Sequence, residues 1–259
     1  MTRRLLQLAL AAWCLLAWVP AAPAAQQEMV TDHSQQSIEV DIRFHGERIY
    51  FFGTVPDPKA EVVVKLVPLK SPPIKLTRKG KVVLFWMGVK QFEIKRMPFL
   101  YKIHSSRPLK EILSPEVAAK YRLGYQTLKN DMELTLLKGT PTPDDRDVMF
   151  KGFVELKEKF NLYRIAENRI RIRKGRLFDH YFTFPDKAKE GDYLVESYAI
   201  KDGRVIAIAR DKITVRKVGI TAWLYRTAQE NGLLYGVLAV IIALGAGLLV
   251  GVFFKGGGH

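Results

Sequence analysis

The sequence predicts a mainly β protein: an antiparallel, immunoglobulin-like β-sandwich carrying a helical insertion, followed by one C-terminal transmembrane helix. Three observations carry this reading. Several stretches alternate apolar and polar residues with period two, a middle segment has helical composition, and Leu233–Phe254 is an apolar run of 22 residues.

The strands come first. In SIEVDIRF, Ile38, Val40, Ile42 and Phe44 point one way; His45-Gly46-Glu47 makes a turn and RIYFFG returns. EVVVKLV (61–67) and KVVLFWM (81–87) are rich in β-branched and aromatic residues and are bounded by Pro and Gly, so both read as strands. RLFDHYFTF, DYLVESYAI and RVIAIARDKITV follow late in the chain, the last two joined at Lys201-Asp202-Gly203, a strong hairpin signal. Short strands at this spacing suggest a sandwich.

The insertion is expected at about 108–163. Ser114 is a good N-cap before Pro115 at the first helical position. A second helix begins at DDRD, and Met149, Phe153, Leu156 and Phe160 form one apolar stripe along it.

The two ends set the expected topology. Arg3 and Arg4, the apolar run Leu5–Val19 and the small-residue sites at Ala22–Ala24 or Pro23–Ala25 form a signal-peptide pattern over residues 1–25. Cys14, the only cysteine, lies inside it, so the mature chain is expected to have neither a disulfide nor a thiolate metal site. Residues 26–217 then form the exported domain, 218–232 a juxtamembrane segment, 233–254 the membrane helix and 255–259 a cytoplasmic tail. About 1.5 Å of rise per residue lets 22 residues cover a hydrocarbon core of about 30 Å. Trp223, Tyr225 and Tyr235 suit the outer interface, Phe253 and Phe254 the inner one. Ala239, Ala243, Gly247 and Gly251 recur every fourth residue, a candidate helix-packing face. The expected location is the inner membrane, single-pass, with the main domain in the periplasm.

Chemistry is scarce. His104 and Ser105 adjoin Ser106 and Arg107, but they fall where a strand meets a Pro-started helix, and no G-x-S-x-G is present. Asp144, Asp145 and Asp147 lack the glycine and terminal glutamate of a calcium loop and suit a helix N-terminus. The five histidines show no ligand spacing. No catalytic residue, metal or cofactor is expected, and the chain is not expected to be an enzyme.

Charge is the unusual bulk property. The net charge is +15, and between Asp57 and Lys110 there are 13 Lys/Arg against 3 Asp/Glu. Arg78, Lys79 and Lys81 form one candidate basic patch; Arg169, Arg171 and Arg173, alternating with Ile170 and Ile172, form another on one strand face. Outside the cytoplasm such patches suit anionic lipid, an acidic partner or an anionic solute rather than nucleic acid.

Several segments in order carry a resemblance: YFFGTVPDPKAEVVVKLV, RKGKVVLFWMGVKQFEI, PFLYKIHSSRPLKEI, KEKFNLYR, GDYLVESYAIKDGRVIA and VGITAWLYRTAQENGLLYGVLAVIIALGAGLLVGVFF. From about Ser37 to Phe254 the chain resembles a family of single-pass transmembrane proteins of unknown function, first described from Alphaproteobacteria. The resemblance implies a signal peptide, an exported domain and one C-terminal helix, and a gene neighbour resembling the sulfite-exporter permeases; it supplies no catalytic residues. The expected function is a non-enzymatic, membrane-anchored accessory or binding subunit of an envelope transport or assembly system. Its partners would be membrane lipid and a multi-pass permease, or a second copy through the membrane helix. An anionic lipid- or glycan-binding module without a transporter, and an envelope hydrolase, are the alternatives.

Overall fold

The computed structural model of the protein describes residues 28–82 and 84–255. The expected signal peptide at 1–25, with Cys14, and residues 256–259 of the expected tail lie outside these.

The hairpin signal marks the centre of the β body. Strands β12 (Gly191–Lys201) and β13 (Arg204–Lys217) are joined by Asp202 and Gly203 at φ +50° and +75°. A two-residue turn of this hand needs both residues in the left-handed region, which Gly adopts freely and Asp tolerates. Around this hairpin grows a six-stranded sheet with β2 (Ser37–Val40), β4 (Glu61–Pro68), β7 (Tyr101–Ser105) and β9 (Tyr163–Ala166), in the order β2-β13-β12-β4-β7-β9. Its inner pairs are antiparallel, while the outermost pairs, β2–β13 and β7–β9, are parallel.

A four-stranded antiparallel sheet faces it, built from β1 (Val30–His33), β3 (Glu47–Thr54), β11 (Leu177–Phe184) and β10 (Arg171–Arg173) in the order β1-β3-β11-β10. Period two decides what lies between the sheets. Along β11, Phe178, His180, Phe182 and Phe184 are buried while the residues between them are not. From the other sheet His104 on β7 meets Phe182 with ring centroids 4.4 Å apart.

The opposite face of the six-stranded sheet is covered by helices: α1 (Leu109–Ile112), α2 (Pro115–Tyr121), α3 (Tyr125–Asp131) and α4 (Asp145–Lys159). Tyrosines make this joint, with Tyr121 5.2 Å from Tyr198, Tyr101 6.2 Å from Tyr125, and Phe153 edge-on to Tyr163 at 5.7 Å. Ser114 caps α2 as the sequence predicts, its side chain accepting from the Val117 N–H. The architecture is thus sheet, sheet, helices.

Four local expectations change. Residues 37–44 are not one strand that folds back on RIYFFG: β2 ends at Val40, Ile42 is exposed, and β3 pairs with β1 and β11 while β2 pairs with β13 in the other sheet. The 108–163 segment is not wholly helical: β8 (Glu133–Lys138) runs through it and pairs with β6 (Phe85–Lys95), which pairs with β5 (Ile74–Val82) in a third sheet, order β5-β6-β8. Residues 81–87 are not one strand but straddle the β5–β6 turn, with Val82 opposite Phe85. On α4, Leu156 is exposed and Lys157 is buried beside Phe153, because the helix turns a slightly different face to the sheet than the apolar stripe suggests.

After β13 come α5 (Gly219–Glu230) and α6 (Gly232–Lys255). The 24 residues of α6 span about 36 Å at about 1.5 Å each, more than a hydrocarbon core of about 30 Å. From Gly232 to Gly251 this helix is apolar enough to cross a membrane and none of it is buried inside the protein.

Candidate functional site

Between the two facing sheets, at the end where β7 and β11 meet the β9–β10 loop, lies a cleft of about 280 Å³. His104 and His180 form its floor, and Asn168, Arg169, Arg171, Asp179 and Tyr181 its walls. The loop is fixed from below, because the Arg169 and Ile170 N–H groups both donate to the carbonyl of Ser105, at 2.9 and 3.3 Å. Asn168 turns it at φ +57°, a region asparagine tolerates. Arg169 then donates to the Tyr181 hydroxyl at 3.0 Å and lies over that ring. Ile170 is buried and Ile172 half-buried, which leaves Arg171 and Arg173 on the exposed face. Arg173 is paired with Asp179 at 3.0 Å.

The two imidazoles are less than a tenth exposed, 5.6 Å apart and nearly perpendicular. His104 Nδ1 and both ring nitrogens of His180 have no hydrogen-bond partner among the described residues. Burial pushes His104 down to about 3, and the charges of Arg169, Lys102 and Arg164 push the same way. Burial likewise holds His180 far below the usual histidine range, with His104 contributing. At neutral pH both rings are therefore uncharged, each with one N–H donor and one acceptor nitrogen, beneath Arg169 and Arg171. Such a place favours a small anion over a cation.

The same geometry weighs against catalysis at His104 and Ser105. Neighbours in a strand project to opposite faces. His104 faces the second sheet, whereas Ser105 is wholly buried and its hydroxyl has no partner. Ser106 is a connector, accepting from the Val62 N–H at 2.9 Å and donating to Glu61 at 2.6 Å. A base whose conjugate acid has a pKa of about 3 is also a poor proton acceptor.

The two basic runs fall on different sheets and do not form one patch. Arg78 is on β5 and is drawn into an ion pair with Asp145 at 3.1 Å, where Lys90 joins at 2.7 Å. Lys79 and Lys81 continue along β5 to the hairpin tip. Asp145 also accepts from the backbone and hydroxyl of Thr142, and the Lys90 hydrogen bond leads the influences holding its carboxyl well below the usual carboxylate range. Asp147 pairs with Lys129 at 2.9 Å. Among the described residues, no three His, Cys, Asp or Glu converge as a metal would require.

The model of one protein family, described as "Putative transmembrane protein (Alph_Pro_TM)", matches residues 28–256. The chain belongs to this family. It is accordingly a membrane protein, and among the described residues it has one candidate span, α6, near its C-terminus. No curated protein and no solved structure matched the chain. The family's description names no activity and no site residue. Within the family's span, Ala239, Ala243, Gly247 and Gly251 lie on α6; a Cβ added at Gly247 or Gly251 would meet no other element among the described residues.

Sequence reasoning missed the cleft because His104 and His180 come from different sheets. One signal was available: in RLFDHYFTF, His180 shares the apolar face of Phe178, Phe182 and Phe184.

Proposed function

We propose that the chain is a non-enzymatic accessory subunit of an envelope transport or assembly system, whose β body holds a small anionic solute beside the inner membrane. The cleft is the observation that carries this reading: Arg169 and Arg171, neither in an ion pair among the described residues, stand over two buried neutral imidazoles whose ring nitrogens are largely unpartnered, while the one carboxylate in the lining, Asp179, is taken up by Arg173. In this reading the β body lies in the periplasm, and α6 both anchors it and packs on a multi-pass permease. That partner is suggested by the family's gene neighbourhood. The small residues of α6, with no contact to spend them on within the chain, support helix packing over simple anchoring.

Two experiments test it. Titration calorimetry of the full chain in mild detergent is expected to show binding of sulfate or phosphate, at least tenfold weaker in the Arg169→Ala/Arg171→Ala variant. Both arginines are exposed, so the fold should survive. Heat that is absent for every small oxyanion, or unchanged in the variant, would defeat the binding reading. Separately, Gly247→Leu/Gly251→Leu is expected to abolish association of α6 with its partner, read by crosslinking in native membranes. Unchanged crosslinks would show that this face is not used.

A further inference from the structure

The β5–β6 ribbon ends in a tip with an unusual surface. Leu84, Phe85, Trp86 and Met87 are 54–78 % exposed, although they are the most apolar consecutive residues of the β body. In a strand, neighbours alternate faces, so Phe85, Trp86 and Met87 can all be exposed only if neither face of the ribbon is covered there. Further along β6 the alternation returns, with Phe92 and Ile94 buried. An exposed apolar cluster of this kind marks an interaction site.

Its neighbours say what it meets. Lys81 stands directly across from Trp86, and Lys79 across from Gly88. Neither lysine forms an ion pair among the described residues, whereas Arg78, one step further from the tip, is taken up by Asp145. Aromatic and apolar side chains at a tip, with unpaired lysines just behind them, match the layering of a bilayer surface: acyl boundary first, phosphates next. A protein partner fits less well, since a flat interface would cover one face of the ribbon, whereas these residues are exposed on both faces and a bilayer surrounds an inserted tip on all sides. The chain also belongs to a transmembrane family, so a bilayer is always within reach.

We propose that the β5–β6 tip is a second membrane contact, in which Phe85, Trp86 and Met87 enter the headgroup–acyl boundary of an anionic bilayer while Lys79 and Lys81 meet lipid phosphates. This contact is independent of the inter-sheet cleft. It would fix the orientation of the β body relative to the membrane surface at two points instead of one.

The test uses the full chain with Cys14→Ser and Met87→Cys, labelled at residue 87 with an environment-sensitive fluorophore. The protein is reconstituted into phosphatidylcholine alone or mixed with phosphatidylglycerol. In the anionic mixture the emission is expected to shift to the blue and to be quenched by brominated acyl chains. High salt, or Lys79→Glu/Lys81→Glu, should reverse both effects, because the attraction is screened or inverted. Equal spectra in the two lipids overturn the proposal. Shielding of the label that persists in lipid-free detergent and rises with protein concentration also overturns it, and assigns the tip to a second copy of the chain.

Discussion

Glu196→Leu is expected to destabilise the β body by about 3–5 kcal/mol, more than most single substitutions, because it strands a buried lysine. Glu196 lies on β12 between two cations, directly opposite Lys65 on β4 and Arg210 on β13. Its carboxylate meets Lys65 Nζ at 2.7 Å, the Tyr198 hydroxyl at 2.8 Å and Arg210 Nε at 3.1 Å. The side chains of Lys65 and Glu196 are only 8 and 12 % exposed. Burial alone would raise the glutamate, but these donors outweigh it and hold its carboxyl below the ordinary range. Burial lowers Lys65 despite its partner, so removing that partner leaves an ammonium with one remaining acceptor, the Tyr121 carbonyl. The double variant Lys65→Met/Glu196→Leu should recover most of the loss, since a well-packed apolar pair avoids the desolvation cost. Urea titrations of the full chain in detergent, followed by the near-ultraviolet signal of the tyrosines, would decide. If the single variant costs under about 1 kcal/mol, or the double costs as much as the single, the buried pair is not what holds β12 to β4.

How much of this was legible beforehand depends on the range of the interaction. Local chemistry reads well: Asp202-Gly203 makes the β12–β13 turn, Ser114-Pro115 opens α2, and the apolar run becomes α6. The mainly β, largely antiparallel class with one C-terminal apolar helix follows from the same signals. Residues 81–87 read as one strand because this apolar, β-prone run has no Gly, Pro, Asn or Asp to mark the turn that divides β5 from β6. β8 was hidden by its helical neighbours; six residues alternating weakly cannot be told from helix without the β6 edge they pair with. The candidate site was illegible for a further reason. His104 meets His180 only across the sheets, and the arginines above them were visible as charge but not as the wall of a cleft.

Stability is expected to rise by about 2 kcal/mol between pH 8 and pH 10, the reverse of common behaviour, and then to fall steeply. Lys102 and Lys157 are each less than a tenth exposed and form no ion pair with a carboxylate among the described residues. Lys102 donates to the Thr183 carbonyl at 2.5 Å, and Lys157 to the Phe99 carbonyl at 2.8 Å while lying over the Phe99 ring. Burial lowers both to about 8, helped by the charges of Arg164 and Lys189 respectively. Between about pH 8 and the ordinary lysine value of 10.5, the unfolded chain therefore holds protons that the folded chain has released. Stability must then increase with pH, by about 1.4 kcal/mol per unit for each lysine at most. Above pH 10 the sign reverses. Burial raises Tyr101, Tyr125, Tyr163 and Tyr198 far above the ordinary tyrosine value of 10.0, and Tyr193 to about 12, so the unfolded chain ionises first. On the acid side His104 and His180 act in the same sense as the lysines: below pH 6.5 the unfolded histidines protonate while the buried ones do not, and stability declines as pH falls. The maximum thus lies near pH 10, above the usual range. Urea midpoints at pH 8, 9 and 10 test this directly, and Lys102→Met and Lys157→Met should each remove most of the rise, because the tyrosines then offset the remaining lysine. A wild-type midpoint that stays level or drops across that interval would mean that both ammonium groups keep their charge inside the core.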